Sequence, residues 1–221
     1  GLACALVYED GMLMQAVTRG DSRVGEDVTM NVRTIQNVPL RLRENDECAH
    51  FLRGRTEIRG EIVMYKKDFE TLNATREAAG LSLFKNPRNL AAGTIRQLDP
   101  SLVAARPLHF LGYDIIRDTP EDIPTIAYGY AAIAALGIAT SRQTQAVRGV
   151  DEIVEYIEHL GKIREGLAFN TDGAVVKLND RAQFAQLGVV GKTPRAAVAY
   201  KFAAEEATTI VKDIVISIGR T

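Results

Sequence analysis

The sequence predicts an α+β fold in which mostly antiparallel strands are flanked by helices. Strand-like and helix-like segments are mixed along the 221 residues without the regular strand–helix alternation of a doubly wound sheet. No G-x-G-x-x-G follows a predicted strand and no G-x-x-x-x-G-K-[ST] occurs, so Rossmann and P-loop architectures have no support. With 46% hydrophobic residues, a chain of this length can bury a sizeable core.

The first predicted element is a β-hairpin. Residues 2–8 are apolar almost throughout, E-D-G at residues 9–11 makes the turn, and residues 12–18 run back. The first strand is expected to be buried on both faces. A polar, glycine-punctuated loop covers residues 18–27, and a short helix is expected over residues 27–35.

Strands and capped helices are expected along the rest of the chain. Residues 57–64 alternate as a strand, and Asp68 is a candidate cap for a helix over residues 69–79 that Gly80 closes. The remaining predicted elements are helices over residues 86–97, 125–137 (capped by Thr125), 151–160 (capped by Asp151) and 182–187, and strands over residues 108–116, 173–178, 196–202 and 208–218.

Composition excludes several classes of protein. The 27 basic and 28 acidic residues give a formal charge of −1, unlike the strongly basic balance of many nucleic-acid-binding domains, although a neutral total is compatible with a basic face. Cys4 and Cys48 are too few for a zinc site or a disulfide framework and indicate reduced thiols in the cytosol. No apolar stretch is long enough to span a membrane.

Three charged side chains lie within apolar strands. Lys177 lies in G-A-V-V-K-L, Lys201 in A-V-A-Y-K-F and Glu61 in I-R-G-E-I-V. Such side chains are rarely buried without a partner. One interpretation is structural: the charges face solvent, or a glutamate and a lysine pair across a sheet. The other interpretation is a ligand site.

Together with Arg19 and Tyr113, these charges indicate a site for a phosphorylated ligand. Two lysines on neighbouring strands and an arginine in a glycine-rich loop can hold a phosphate. Glu61 can accept hydrogen bonds from ribose hydroxyls. Tyr113 can stack on a base, although an aromatic residue in a strand is more often part of the core. These residues alone do not identify the reaction.

Longer motifs, in order along nearly the whole chain, resemble those of NAD-dependent DNA ligases. The matching segments are G-L-A at 1–3 (the end of K-x-D-G-L-A), T-R-G-D at 18–21, G-E-D-V-T-M-N-V-R-T-I at 25–35, E-I-R-G-E-I at 57–62, N-P-R-N-L-A-A-G-T-I-R-Q-L-D-P at 86–100, D-G-A-V-V-K at 172–177, A-Y-K-F at 199–202 and I-G-R-T at 218–221. The chain is identified by these matches as a member of that family, with its nucleotidyltransferase (adenylylation) fold.

The resemblance implies a reaction and its cofactors. In this family the lysine of K-x-D-G attacks the α-phosphate of NAD and forms a covalent enzyme–AMP with release of nicotinamide mononucleotide. AMP then passes to the 5′-phosphate at a DNA nick, which the 3′-hydroxyl seals with help from Mg²⁺. Expected partners are therefore NAD and nicked duplex DNA, in replication and repair, in the cytoplasm at the nucleoid.

The resemblance also implies roles for individual nucleotide-site residues. Glu61 would bind the AMP ribose, while Tyr113 and Val175 would form opposite walls of the adenine pocket. The catalytic side chains of this chain would be Lys177, Lys201 and Arg19, with Lys177 at the AMP phosphate, Lys201 on phosphate charge and Arg19 on the nucleotide or the nick. Asp172 would lie beside the nucleotide.

Three arginines match family positions associated with the phosphates of the nick. They are Arg88, Arg96 and Arg164. Contacts of this kind are independent of base sequence, as an enzyme that seals any nick requires. For Arg88 and Arg164 a plain surface or helix-terminal role stays equally open.

The resemblance places further parts of the protein outside these residues. The lysine and aspartate of K-x-D-G are expected just upstream of Gly1, and a chain without that lysine is expected to be inactive alone. Residues 1–217 would form the adenylylation domain, and residues 218–221 would begin the linker to an OB-fold domain. The family also has an N-terminal domain that binds nicotinamide mononucleotide, a zinc finger (the only zinc site), a helix-hairpin-helix array and a BRCT domain.

Two other functions are compatible with parts of the sequence. A non-catalytic nucleotide- or partner-binding module would also retain Glu61, Lys177 and Lys201, and the residues immediately upstream of Gly1 discriminate it from the enzyme. An ATP-dependent ligase or a capping enzyme would share the short lysine motifs. The segment at residues 86–100 disfavours that second alternative.

Overall fold

The computed structural model describes residues 1–19, 25–191, 193–203 and 208–216. Its centre is a four-stranded antiparallel sheet with the strand order β2-β1-β3-β4. These strands are β1 (Leu2–Glu9), β2 (Met12–Thr18), β3 (Arg55–Val63) and β4 (His109–Arg117). Helices and antiparallel strands together confirm the predicted α+β class.

Helices cover one face of this sheet and flank its ends. They are α1 (Thr29–Val32), α2 (Lys66–Ala78), α3 (Pro87–Ile95), α4 (Pro100–Ala104), α5 (Ile126–Ala135), α6 (Gly149–Ile163) and α7 (Arg181–Leu187). Short 3₁₀ helices cover Asp46–Leu52, Pro120–Asp122 and Arg164–Gly166. These three 3₁₀ helices and α4 were not predicted. No helix in the described part of the chain is long and apolar enough to cross a membrane.

The core lies between the four-stranded sheet and these helices. Its largest fully buried side chains include Tyr8, Phe51 and Phe110, and the Tyr8 hydroxyl donates a hydrogen bond to the Pro39 carbonyl at 2.9 Å. Full burial of a large apolar side chain contributes about 1.5–3 kcal/mol. The sheet is therefore a rigid base for the residues on its other face.

The predicted hairpin is confirmed, with Glu9 opposite Met12. Asp10 and Gly11 have φ angles of 47° and 77°, and Asp-Gly is a preferred pair for such a two-residue turn. Burial of β1 on both faces is right only in part. Its alternate residues are buried in the core, whereas those between them are half-buried, because no helix layer covers the second face.

Two helix caps were predicted correctly and two were wrong. Thr125 accepts a hydrogen bond from the Tyr128 amide at 3.0 Å, and Gly80 closes α2 at a φ of 67°. Asp68 and Asp151 are not caps, because α2 already begins at Lys66 and α6 at Gly149. Both aspartates lie in the first turn, where a carboxylate favours the helix dipole.

The helix predicted over residues 27–35 is only one turn, α1. The Asp27 carboxylate accepts from the Thr29 amide at 2.9 Å, which lets the helix begin two residues later than expected. The Asn31 side chain donates to the carbonyls of Ile95 and Gln97, both at 2.7 Å. This segment is therefore held by its contact with the end of α3 rather than by helix length.

A second sheet, which we call the small sheet, consists of β5 (Gly173–Lys177) and β8 (Ala197–Lys201) in antiparallel pairing. The two-residue strands β6 (Val189–Val190) and β7 (Thr193–Pro194) form a hairpin between them.

The strand predicted over residues 208–218 is not found in its described part. Residues 208–216 have neither helix nor strand, and apolar side chains such as Ile216 are exposed. The alternating pattern satisfies β propensity, but a strand also needs a neighbour, and no described segment pairs with this one. Residues 217–218 lie outside the described residues, as does the I-G-R-T match at 218–221.

Candidate functional site

The small sheet faces the uncovered face of the four-stranded sheet, and most of the predicted site residues lie between the two. We call the uncovered face, which carries Arg59 and Glu61, the open face. The Lys177 Nζ atom lies 5.5 Å from the centre of the Tyr113 ring. Next to it, Arg181 forms an ion pair with Asp114. The first contact joins the two sheets, and the second joins β4 to the start of α7, which follows β5 in the chain.

A bulge in β4 turns Tyr113 and Asp114 towards the small sheet. Arg59 lies opposite Asp114 but Gly60 lies opposite Gly112, so Tyr113 is an extra residue without a partner on β3. Such bulges redirect side chains. Gly60 has to be a glycine here, because an added Cβ would lie 2.5 Å from the Leu111 carbonyl oxygen.

Glu61 lies on the open face beside the start of the chain. Its side chain is 48% exposed, and Oε1 lies 3.5 Å from the Gly1 backbone nitrogen. A Cβ added to Gly1 would lie 2.5 Å from Oε1 of the same carboxylate, so the backbone of Gly1 lies directly against the Glu61 side chain. Burial chiefly raises the pKa of Tyr113, and the negative charge of Glu61 adds to the shift. Gly1, Glu61 and Tyr113 are therefore neighbours.

Strand pairing brings Val175, Lys177 and Lys201 to one face of the small sheet. Gly173 pairs with Lys201 and Lys177 pairs with Ala197, so the two lysines lie at opposite ends of the ladder. Four strand residues separate these ends by about 13 Å. The predicted placement of the two lysines on neighbouring strands is confirmed, but their side chains lie at opposite ends of the ladder.

The two lysines have different environments. Burial lowers the pKa of Lys177, and the charge of Asp114 partly offsets that shift. Lys201 is 64% exposed and its Nζ lies 2.8 Å from Asp172 Oδ2. The hydrogen bond from Lys201 holds the pKa of Asp172 below its ordinary value. The sequence left open a structural alternative in which a lysine pairs with a glutamate across a sheet. In the structure Lys201 pairs with Asp172 and not with Glu61.

Arg19 follows β2 at the edge of the same site. Its amide donates to the Ala3 carbonyl at 3.2 Å, which holds the backbone beside β1, and its side chain is exposed. Its positive charge opposes the rise that burial causes in the pKa of Tyr113. Residues 20–24 of the predicted glycine-punctuated loop lie outside the described residues.

The three predicted DNA-contacting arginines lie at different distances from this cluster. Arg88 is exposed near the start of α3, and its charge adds to that of Lys201 in lowering the pKa of Asp172. Arg96 pairs with Glu26 at 2.7 Å. Arg164 lies over the ring of Phe202, with 5.4 Å from its guanidinium carbon to the ring centre. Exposed ion pairs such as that of Arg96 are worth about 0–1 kcal/mol and yield readily to a phosphate.

Two residues of this cluster escaped prediction, namely Asp114 and Arg181. The available signal was a carboxylate directly after Tyr113 inside an apolar strand. Arg181 gave no signal, because its partner lies 67 residues earlier in the chain. Among the described residues, no group of three or more His, Cys, Asp or Glu side chains could hold a metal ion.

Gly173→Ala is expected to disrupt the small sheet at the Lys201 end. An added Cβ would lie 2.0 Å from the Tyr200 carbonyl oxygen and 3.0 Å from the Lys201 Cα, both on the paired strand. Because backbone atoms cannot move aside as a side chain does, we predict a loss of about 1–3 kcal/mol in unfolding free energy. Chemical denaturation measures it. Gly166→Ala is the control, since nothing lies within 4 Å of its added Cβ, and equal stability of the two variants would contradict the clash.

The sequence is similar to that of known DNA ligases over its full length. It is 46% identical to the DNA ligase of Thermomicrobium roseum over 222 residues, which is 100% of this chain and 32% of that protein. It is 43% identical over 226 residues to the DNA ligases of Chloroflexus aurantiacus and Acidobacterium capsulatum, covering 32% and 33% of them. The chain thus spans about a third of the length of these relatives.

Residues 1–205 match the family described as the NAD-dependent DNA ligase adenylation domain. The matched region contains all the strands of both sheets and every residue placed at the site above. The fold, the convergence of the site residues and these matches agree. This chain therefore belongs to the NAD-dependent DNA ligase adenylation domain family.

Proposed function

We propose that this domain takes AMP from NAD and passes it to the 5′-phosphate of a nick in duplex DNA, which the 3′-hydroxyl then seals. The observation that carries the proposal is the convergence of Gly1, Glu61, Tyr113 and Lys177 between the open face and the small sheet. An aromatic ring, a carboxylate and an ammonium group are the kinds of side chain that can bind a base, a ribose and a phosphate, respectively. The family match supports the AMP donor.

The nucleotide would lie across the two sheets. Tyr113 and Val175 are proposed as the walls of the adenine pocket, and Glu61 as the acceptor for the ribose hydroxyls. Val175 is 60% exposed, so its side chain is accessible to a base. Lys177 would then meet the phosphate, because it lies on the same face of β5 two residues beyond Val175.

The covalent step would be an exchange at the α-phosphorus of NAD. The unprotonated Nζ of a lysine three positions before Gly1, in K-x-D-G, would form a P–N bond while the bond from phosphorus to the bridging oxygen breaks. Nicotinamide mononucleotide leaves with that electron pair. The close approach of Gly1 to Glu61 supports this placement, since the preceding residues would enter beside the nucleotide.

The side chains of this chain would act by charge. Lys177 would neutralise the negative charge that develops on the phosphate oxygens, with Lys201 and Arg19 at the ends of the site. Asp172 would hold Lys201 in place through the 2.8 Å contact. A half-buried ammonium such as Lys177 interacts more strongly with phosphate than an exposed one, because less water screens it.

Mg²⁺ is proposed as a cofactor of the reaction. Mg²⁺ keeps several waters and is usually bound through one or two carboxylates plus substrate phosphates. In this proposal the substrate phosphates would supply part of its ligands. None of the proposed bond changes at phosphorus depends on where Mg²⁺ binds.

The DNA is proposed to contact this domain through phosphates. Arg88, Arg96 and Arg164 would take this role, and Arg88 is close enough to Asp172 for its charge to lower the pKa of that carboxylate. The near-neutral charge of the chain indicates that much of the grip on DNA comes from elsewhere in the protein. Such contacts would weaken uniformly as salt rises, whatever the base sequence.

We further propose that the domain extends over residues 1–217, with a linker to an OB-fold domain beginning at residue 218. The relatives are about three times as long as this chain, which leaves room for the other family domains, including the zinc finger. The proposed setting is DNA replication and repair in the cytoplasm, at the nucleoid.

A sealing assay on the full-length protein tests the proposed function. The substrate is a duplex with one nick that bears a labelled 5′-phosphate, supplied with Mg²⁺ and either NAD or ATP. We expect a sealed strand with NAD and none with ATP. Sealing with ATP alone would indicate an ATP-dependent ligase, and no sealing with either nucleotide would indicate a binding module.

A further inference from the structure

The Asp114–Arg181 ion pair joins β4 to α7 next to Lys177. Both side chains are about three-quarters buried, with exposures of 24% for Asp114 and 25% for Arg181. Asp114 Oδ1 accepts from Arg181 Nη2 and from the Ile115 amide, the latter at 3.0 Å. The carboxylate is therefore fixed in orientation.

The segment that follows Lys177 is attached to the start of α5. The Asn179 carbonyl accepts from the Ile126 amide at 2.8 Å, and the Arg181 amide donates to the Pro124 carbonyl at 3.1 Å. Because α5 packs against β4, these bonds and the ion pair hold one end of the small sheet against the main one. That end is the one that carries Lys177.

The position of Arg181 is costly for stability. Its Nε is buried and has no hydrogen-bond partner among the described residues, and a buried donor without an acceptor costs free energy of folding. A Cβ added to Gly129 would lie 3.7 Å from Arg181 Nη2, so α5 lies directly against the guanidinium. Packing alone would favour an apolar side chain here.

We propose that the Asp114–Arg181 ion pair is a positioning device for Lys177, which it holds over Tyr113 by fixing the β5–α7 junction between β4 and α5. The inference rests on the proposed function for its catalytic consequence. Asp114 and Arg181 touch neither nucleotide nor reacting atoms in this account, and they act through the placement and the electrostatic surroundings of the ammonium.

The pair also sets opposing charges beside Lys177. Asp114 raises the pKa of the ammonium and Arg181 lowers it, while burial lowers it most. The other titratable group in contact is Tyr113 on β4. The charged residues Glu61, Arg59 and Arg19 lie around the Tyr113 ring. Tyr130 on α5 is also nearby. Burial chiefly raises the pKa of Tyr130, and Asp114 and Tyr113 raise it further.

The two members of the pair therefore make opposite predictions. Lys177 acts in its protonated form, so activity is lost as pH rises through its pKa. Asp114→Asn removes the charge that raises this pKa, and the alkaline limb of the rate profile moves to lower pH. Arg181→Gln removes the charge that lowers it, and the limb moves to higher pH. Relative to wild type, the limbs of the two variants are therefore expected to move in opposite directions.

The experiment measures single-turnover formation of enzyme–AMP from NAD as a function of pH. It uses the full-length protein and the variants Asp114→Asn, Arg181→Gln and the double variant, with melting temperature recorded for each. The matched control is Asp122→Asn, which breaks the Asp122–Arg117 pair at the far end of β4. That pair is at least as buried as the Asp114–Arg181 pair, with exposures of 24% for Asp122 and 13% for Arg117.

A lower plateau rate of enzyme–AMP formation in both single variants, with their limbs displaced in opposite directions, the limb of the double variant between them and the control unmoved, would support the positioning role. Plateau rates equal to that of wild type would overturn it and leave a purely structural pair. An NMR titration of Lys177 Nζ in the same proteins separates this inference from the proposed function. If the Lys177 titration shifts in opposite directions in a protein that forms no enzyme–AMP, the effect of the pair on Lys177 is supported and the ligase activity is contradicted. If Lys177 titrates as in wild type in all variants, the effect of the pair on Lys177 is contradicted.

Discussion

Lys177→Ala in the full-length protein is expected to abolish nick sealing, with enzyme–AMP formation falling on the order of 100- to 1000-fold. Lys177 is the half-buried ammonium of the site and faces Tyr113 at 5.5 Å. Removing it leaves phosphate charge without a partner where water screens it poorly. Gel assays of a nicked duplex and quenched single turnovers with NAD measure the two effects.

The Lys177→Ala variant is expected to fold normally. Burial already lowers the pKa of Lys177, which means that the folded protein gains little from the charge. Lys162→Ala is the matched control, since Lys162 is an exposed lysine in the last turn of α6. Near-normal nick closure by Lys177→Ala would remove this residue from the mechanism.

Glu61→Ala is expected to lower the yield of enzyme–AMP about tenfold to 100-fold without lowering stability. A hydrogen bond to a charged group is worth about 1.5–3 kcal/mol, and the ribose would lose its carboxylate acceptor. Glu61 is 48% exposed, so its removal leaves no buried group without a partner. Intact-mass measurement of the adenylylated fraction at fixed NAD gives the yield.

Glu57→Gln is the matched control and should show the reverse. Glu57 lies four residues earlier on the same face of β3 but is 12% exposed and pairs with Arg55 and Arg59. Burial raises its pKa, yet the hydrogen bonds from both arginines outweigh this and hold it below the ordinary value. We expect lower stability and an unchanged yield for Glu57→Gln. An unchanged yield for Glu61→Ala would count against the ribose role.

The elements that depend on neighbouring residues were predictable from the sequence. The Asp-Gly turn of the hairpin, the Thr125 cap and the closing Gly80 follow from local backbone chemistry and were predicted correctly. Asp68 and Asp151 were wrongly predicted as caps because aspartate is common both at the cap position and in the first turn, and both residues lie in the first turn. Local sequence therefore located the helices but misplaced two of their first residues.

Elements that need a distant partner were less predictable. Residues 208–216 alternate like a strand, yet no strand forms because no described segment pairs with them. The same limit applies to the site. Lys177, Lys201 and Glu61 were conspicuous as charges in apolar strands, whereas the Asp114–Arg181 pair depends on a bulge and on a contact across 67 residues. Sequence patterns indicate unusual residues more readily than they indicate which of them meet.

The most direct test of the account is the intact mass of the full-length protein before and after incubation with NAD and Mg²⁺. We predict a mass gain of one AMP with NAD and no gain with ATP. The gain should be reversed by added nicotinamide mononucleotide, and peptide mapping should place the AMP on the lysine three positions before Gly1. A mass that stays unchanged with NAD, in a folded protein, would contradict the proposed AMP transfer and leave a domain of this fold that binds without catalysis.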